Sequence, residues 1–266
     1  MKQSGRFPVR PLMSGLAIAL MAATAQAADA IPQHIRAAVA DPARAPADVQ
    51  RDANRKPAEV LDFAGVKPGD KVAELLPGRG YYTALFCKAV GARGHVYAVD
   101  LKVVMPMTPP PDAPPGMKPG AMPPLPPPVK PICPNVTVDT VAGAEFRLPA
   151  DLDLVWTSEN YHDLFGKMLG VPDVEAFNKA IFNALKPGGV YLIEDHAAAA
   201  GSGNSAATTL HRIDPAFVRQ QVLEAGFIFD GESKVLRNPD DLHTAGVMQM
   251  QGKSDKFLFR FRKPKK

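Results

Sequence analysis

The chain has 266 residues, 46% of them hydrophobic, which is enough for one α/β domain with a sizeable core and short extensions. Its formal net charge of +4 falls to +1 without residues 1–27, because that segment holds three basic residues and no acidic one. The other basic cluster is a C-terminal tail, and such tails are usually solvated; it consists of Arg260, Arg262, Lys263, Lys265 and Lys266. Composition and charge therefore do not indicate a nucleic-acid partner.

The N-terminal segment has the order of a cleaved export signal. Basic residues come first at Lys2, Arg6 and Arg10, an apolar run follows at 12–21, and Ala-Gln-Ala at 25–27 has a small-x-small pattern. A run of about 10 residues is too short to span a bilayer, which needs roughly 20. We therefore expect a periplasmic or secreted protein without stable membrane insertion after cleavage, and a buried N-terminal helix is the alternative.

Residues 28–50 are rich in Ala, Asp and Pro, which predicts a loosely ordered lead-in before a domain at 51–266. A short helix is predicted at 57–61, because a proline is tolerated in the first turn. Half of the 28 prolines lie in residues 105–134, which predicts an extended, polyproline-like insertion. This insertion is interpreted as a passive or lid-like loop, or as a Cu(I) site formed by four thioethers, namely Met105, Met107, Met117 and Met122.

From residue 71 onward strands and helices alternate, which predicts a parallel sheet covered on both faces. The predicted strands lie at 71–76, 95–100, 136–141, 152–157, 190–194 and from 227. The predicted helices lie at 82–90, at 174–185 with Asp173 as N-cap, and from Asp214-Pro215 to Gly226, with a break at 186–189.

The last strand differs in kind. Phe257, Phe259 and Phe261 alternate with more polar positions, a period of two that indicates one face toward solvent. Only a loop at 238–253 precedes it. Because parallel neighbours normally need a helical crossover, this strand is predicted to be antiparallel.

Two cysteines, Cys87 and Cys133, are present, and their spacing does not match a metal site. In an exported protein they could form a disulfide. The alternative is two buried thiols, since Cys87 lies on an apolar helix.

The segment 72–81, Val-Ala-Glu-Leu-Leu-Pro-Gly-Arg-Gly-Tyr, reads as a strand ending in a glycine turn that opens a helix. Gly78 and Gly80 fit the start of a dinucleotide fingerprint, but its third glycine is replaced by Thr83. Glu74 precedes the turn, where a carboxylate can accept an amino-acid ammonium. Asp100 ends the second strand, where a carboxylate can hold ribose hydroxyls.

With these residues the chain resembles the class I S-adenosylmethionine-dependent methyltransferases, and within them a family of bacterial predicted methyltransferases that carry a signal peptide. The resemblance covers residues 45–264 and is carried by the stretches at 51–57, 77–83, 156–163, 194–196, 211–214 and 259–262. It implies a Rossmann-like α/β fold with a seven-stranded, mostly parallel sheet and an antiparallel last strand.

The resemblance implies S-adenosylmethionine as cofactor, with one group of residues around it: Glu74, Pro77, Gly78, Gly80, Asp100, Glu145 and Asn160. The sequence departs from the wider superfamily at Leu76, where a glycine is usual. It departs again at Ala144, where an aspartate often contacts adenine, so the acid has moved to Glu145 or has been lost.

Chemistry is expected beyond the carboxyl ends of the strands. The polar groups there include Tyr161, His162, Asp195 and His196 as catalytic candidates, with His211 nearby and structural roles as the alternative. A divalent metal site formed by His162, Asp163, Asp195 and His196 is a weaker alternative, because histidine suits softer ions than Mg²⁺. His34, His95 and His243 are interpreted as surface or core residues.

The sequence thus predicts a methyltransferase acting on a small-molecule or envelope acceptor that the residues do not identify. A methyltransferase-like binding protein that has lost catalysis is the alternative, since the cofactor is a cytosolic metabolite. NAD-linked oxidoreduction is disfavoured by Thr83. The residues do not indicate an oligomeric state.

Overall fold

The computed structural model describes residues 31–104 and 133–265. The predicted export signal and the four methionines of the Pro-rich insertion lie outside these ranges. Within them, no helix combines the length and the apolar character that a membrane span requires.

The described residues form seven helices, seven strands and three short 3₁₀ turns. The helices are α1 Gln33–Val39, α2 Pro46–Arg55, α3 Pro57–Ala64, α4 Tyr81–Val90, α5 Val174–Ala184, α6 Ala207–Leu210 and α7 Pro215–Glu224. The strands are β1 Lys71–Leu75, β2 His95–Leu101, β3 Val136–Val141, β4 Leu152–Ser158, β5 Leu185–His196, β6 Ile228–Ser233 and β7 Lys256–Arg262. The 3₁₀ turns are Gly143–Glu145, His162–Phe165 and Val247–Gln249.

The strands form one sheet in the order β3-β2-β1-β4-β5-β7-β6. Pairings among β1 to β5 are parallel, whereas β7 is antiparallel to both β5 and β6. The predicted fold class, including the antiparallel last strand, is confirmed. The carboxyl ends of β1, β2, β4 and β5 therefore lie along one edge, where ligand sites of open α/β sheets form.

Helices cover both faces of the sheet. One core lies between the sheet and α1, α3 and α4, and contains Trp156 against Tyr82 and Phe86. The other lies against α5 and α7 and contains Tyr161, Phe177 and the phenylalanines of β7. The predicted N-caps are confirmed, because Asp173 accepts from two backbone N–H groups of α5 and Asp214 accepts from one of α7.

The lead-in prediction for residues 28–50 is wrong for its described part, which contains α1 and the start of α2. Ile35 and Ala38 are buried in the core, so α1 is held by packing that its Ala-rich composition did not indicate. Proline favours helix starts here, since α2 opens on Pro46.

Two details of the strands also differ from the predictions. β5 starts at Leu185 rather than 190, and its pairing with β4 shifts in register across the predicted break. β7 is not exposed along one side, because Lys256 and Leu258 are buried together with the phenylalanines. Arg260 and Arg262 of the basic tail both pair with Asp230, so this part of the tail is structural.

The structure joins Cys87 of α4 to Cys133, just before β3, in a disulfide with a Cα–Cα distance of 6.3 Å. The two residues are 46 positions apart, and the loop they close contains the Pro-rich insertion. Of the two alternatives for the cysteines, the structure therefore supports the disulfide.

Replacing both residues, Cys87→Ala with Cys133→Ala, is expected to lower the free energy of unfolding by about 2–4 kcal/mol, because an open loop of this length gains entropy in the unfolded chain. Urea denaturation of the oxidised protein and the double variant measures the difference. Reduced wild-type protein is the control and should resemble the variant. Equal midpoints with and without reductant would contradict the prediction.

Candidate functional site

The turn between β1 and α4 is built from left-handed backbone. Gly78 and Gly80 have φ values of 57° and 84°, which glycine adopts without steric cost. Leu76 also has a positive φ, 52°, at the position where the resembled superfamily carries glycine. Leu76 thus adopts a backbone conformation that usually requires glycine.

Hydrogen bonds from two neighbouring elements hold Leu76 in place. Its N–H donates to the carbonyl of Val99 in β2 at 2.9 Å, and its carbonyl accepts from Asn160 Nδ2 at 3.2 Å. Asn160 Oδ1 in turn accepts from the hydroxyl of Thr157 at 2.8 Å. Asn160 therefore ties the end of β4 to the turn, and this surrounding structure maintains a strained residue at the site.

A cavity of about 200 Å³ lies at this turn. Four predicted cofactor residues, Glu74, Pro77, Gly78 and Asn160, line it together with Arg51 and Arg55 of α2, Arg79, Tyr81, Tyr82, Trp156, Ser158 and Glu159. Its volume suits an amino-acid-sized group rather than a whole nucleoside, because pockets for drug-sized ligands measure about 300 Å³ or more.

Glu74 supplies a buried acid at this cavity. Its side chain accepts a hydrogen bond of 2.5 Å from the hydroxyl of Thr83. Burial raises the pKa of Glu74 from 4.5 to about 8, against smaller lowering effects of Thr83 and Arg55. Thr83, which replaces the third glycine of a dinucleotide turn, therefore acts as the partner of Glu74. A cation entering the cavity would favour ionised Glu74.

Arginines from α2 bring positive charge to the same cavity. Arg51 and Arg55 each stack over the ring of Tyr81, with guanidinium carbons 5.0 Å from its centroid. The Tyr81 hydroxyl donates to Asp52 at 2.6 Å, and Asp52 also pairs with Arg44 at 2.6 Å. These contacts fix α2 over the turn, so the segment predicted as the domain start covers the cavity.

A network of four charges adjoins the cavity, and two of its members, Arg55 and Glu159, line it. Lys256 Nζ donates to Glu194 Oε1 at 2.7 Å and to Glu159 Oε1 at 2.9 Å, and Arg55 pairs with the other oxygen of Glu159. Ser158 Oγ donates to Glu194 Oε2 at 2.9 Å. We call Arg55, Glu159, Glu194 and Lys256 the buried charge network.

The network's two cations compensate its two anions. Burial alone would raise the pKa of Glu159, but Lys256 and Arg55 outweigh it and lower that pKa to about 2. For Lys256, burial lowers the pKa, and the stronger effect of Glu194 and Glu159 raises it above the ordinary value. Lys256 was not predicted from the sequence, because a lysine at the start of an alternating strand is usually solvated.

The predicted catalytic residues lie elsewhere on the same edge. Asp195 is fully buried, and its oxygens accept from His162 Nδ1 at 2.8 Å and from the backbone N–H groups of His162 and His196. Burial lowers the pKa of His162, but Asp195 and Asp163 outweigh this effect and raise it to about 9. Asp195 therefore orients His162.

The other two catalytic candidates have structural partners. Tyr161 is fully buried and its hydroxyl accepts from Asn178 Nδ2 at 2.7 Å, which fits the packed-aromatic interpretation. His196 is joined through Nδ1 to Ser254 at 2.8 Å, and burial lowers its pKa. None of Tyr161, His162, Asp195 and His196 lines the cavity at the turn.

Three predicted cofactor residues also lie outside that cavity: Gly80, Asp100 and Glu145. Asp100 is half-buried at the end of β2, and burial raises its pKa above the ordinary value. Glu145 is exposed. A side chain at neighbouring Gly143 would lie 2.2 Å from the carbonyl oxygen of Leu169, so backbone closely covers that part of the edge. The roles of Asp100 and Glu145 stay predictions.

Glu74→Gln is expected to raise the free energy of unfolding at pH 8 by at least about 1 kcal/mol. Between pH 4.5 and about 8 the folded state holds a proton that the unfolded chain releases, so wild-type stability falls as the pH rises. Urea unfolding at pH 5 and pH 8 measures the slope, with the exposed Glu145→Gln as control. A variant slope equal to that of the wild type would contradict the prediction.

The sequence matches no protein-family model and no curated protein. Among solved structures, an S-adenosylmethionine-dependent methyltransferase from Aquifex aeolicus gives a TM-score of 0.51 at 16% identity, over 82% of this chain and 98% of that chain. A protein of Galdieria sulphuraria, assigned as a sarcosine dimethylglycine methyltransferase, gives 0.50 at 14% identity, over 82% and 88%. Because the identities are this low, these matches support the fold alone. The chain has the fold of the class I methyltransferases.

Proposed function

We propose that this protein is an S-adenosylmethionine-dependent methyltransferase acting on a small-molecule or envelope acceptor. The observation that carries this function is the cavity at the turn after β1, which pairs the buried acid Glu74 with the arginines of α2. The carboxyl group of Glu74 can bind the ammonium of a methionine moiety, and an arginine guanidinium in the same amino-acid-sized cavity can bind its carboxylate.

In this function Glu74 binds the ammonium, and Arg51 binds the carboxylate. Arg51 is suited to this task because its side chain is 43% exposed and its ion pair with Asp48 is long, at 3.4 Å. Arg55, in contrast, is paired with Glu159. Gly78 lets the ligand approach the backbone, since an added Cβ there would meet nothing within 4 Å. Asp100 would hold the ribose hydroxyls beyond the cavity.

When bound, the cofactor supplies a methyl group activated by a sulfonium. In-line displacement depends mainly on positioning and on exclusion of water. The residues of this chain provide both, because α2 covers the cavity and the buried charge network fixes α2 to the ends of β4, β5 and β7. We assign Tyr161 no role in proton transfer, because its hydroxyl accepts a hydrogen bond from Asn178 in the core.

Titration of the purified protein with S-adenosylhomocysteine and S-adenosylmethionine by calorimetry tests this function. We expect one site, with Asp100→Ala weakening binding about tenfold or more through the lost charge-assisted hydrogen bonds. Asp139→Ala is the matched control, because Asp139 is an exposed aspartate on β3. Absence of binding to the wild type would refute the function, and unchanged binding by Asp100→Ala would refute the ribose assignment.

A binding protein without catalysis is the second candidate. Two features of the expected adenine side of the site favour it: the side chain of Glu145 is exposed, and backbone packs tightly against Gly143. Transfer of a radiolabelled methyl group into an envelope extract separates the two candidates. Incorporation supports the enzyme, whereas binding without incorporation supports the second candidate.

We propose further that residues 1–27 direct export to the periplasm or beyond. The disulfide between Cys87 and Cys133 supports this location, because disulfides persist in oxidising compartments. Alkaline phosphatase fused after Ala28 is expected to be active in cells, and a fusion lacking residues 1–27 is the control. An inactive fusion with the segment intact would contradict export.

A further inference from the structure

A second polar cluster lies on the same edge of the sheet, in the residues after β4 and after α6. It consists of His162, Asp163 and His211, and we call it the His-Asp cluster. His162 and Asp163 begin the 3₁₀ turn that follows β4, and His211 is the residue after α6. One ligand atom from each lies within 4.8 Å of the other two.

Two of the three separations are close to those of a metal-bound set. With metal–ligand bonds of about 2.1 Å, tetrahedral ligand atoms lie about 3.4 Å apart. His162 Nε2 lies 3.4 Å from Asp163 Oδ1, and His211 Nδ1 lies 3.8 Å from the same oxygen. The side chain of His211 is 48% exposed, so a small rotation can close the longer distance.

Asp195 prepares His162 for coordination. It accepts from Nδ1 of His162 at 2.8 Å, which holds a hydrogen on Nδ1, so Nε2 is the nitrogen that can bind a metal ion when the ion displaces its proton. Nε2 is the atom that faces Asp163. A buried carboxylate that binds the far nitrogen of a histidine is the usual support of a metal-ligating imidazole.

The backbone holds His211 in an uncommon conformation. Its φ of 55° lies in the left-handed region, which is costly for a residue with a side chain. The next residue, Arg212, is fully buried and binds the carbonyl of Ala197 and the carboxylate of Asp241. These contacts fix the chain at His211, and strain maintained in this way is typical of functional positions.

The ligand set determines the class of ion. Two imidazoles and one carboxylate suit a divalent first-row transition ion such as Zn²⁺, Fe²⁺ or Mn²⁺, whereas Mg²⁺ and Ca²⁺ prefer oxygen alone. His196 stays outside the set, because its Nδ1 is bonded to Ser254 and its ring lies 6.1 Å from that of His162. Exposure of His211 leaves coordination positions open to solvent.

We propose that the His-Asp cluster binds one divalent transition-metal ion, with Asp195 as the positioning residue of His162. The open side of such an ion can take a water molecule or an oxygen or sulfur atom of a ligand. This site is separate from the cavity at the turn after β1, whose lining contains none of the three residues.

Metal titration of the purified, tag-free protein tests the site. We expect Co²⁺ to bind in a one-to-one ratio with visible d–d absorption, and Zn²⁺ to displace it. His211→Ala and Asp163→Asn should each weaken Co²⁺ binding at least tenfold, while His95→Ala, on β2 away from the cluster, should bind as the wild type does. Circular dichroism and thermal unfolding verify that each variant is folded.

Two outcomes would overturn the site. One is no binding of Co²⁺ or Zn²⁺ by the wild type at 100-fold excess of metal. The other is wild-type affinity in folded His211→Ala, which would place the ion elsewhere. The titration contains no S-adenosylmethionine, so its failure leaves the methyltransferase function untouched, and failure of cofactor binding likewise leaves the metal site untouched.

Discussion

The buried charge network is the interaction on which the candidate site depends. Lys256 opens β7, Glu159 and Glu194 belong to the ends of β4 and β5, and Arg55 ends α2. Each charge is costly to bury alone, and removal of one partner leaves an uncompensated ion. Because the four charges are balanced and bonded, they join the sheet to the helix that covers the cavity. Because β7 is antiparallel to β5, its first residue, Lys256, lies at the edge where β5 ends.

The same edge carries two chemically different sites. On one side, Glu74 and the arginines of α2 enclose an amino-acid-sized cavity at the turn after β1. On the other, Asp195 orients His162 toward Asp163 and His211. Neighbouring residues of β5 serve both, since Glu194 belongs to the buried charge network and Asp195 to the histidine side. Alternation along a strand explains this division, because successive side chains point to opposite faces.

Much of the fold could be predicted from local patterns. The alternation of strands and helices, both aspartate N-caps and the antiparallel last strand follow from periodicity, capping and loop length, and the structure has them all. The prediction for residues 28–50 was wrong for the described residues 31–50, because α1 is a seven-residue helix that burial of Ile35 and Ala38 stabilises. For the candidate site, the turn with Glu74, Gly78 and Asn160 was identified, whereas Lys256 was not.

The sequence by itself determined the order of the elements, the position of the glycine turn and the acid that precedes it. These features are local, since propensity, capping and spacing act over a few residues. Only the tertiary structure decided which distant groups meet: Arg55 with Glu159, Lys256 with Glu194, and His162 with Asp195 and His211. These partners are separated by many residues along the chain, and only the packing of the strands in their final order brings their charges within bonding distance.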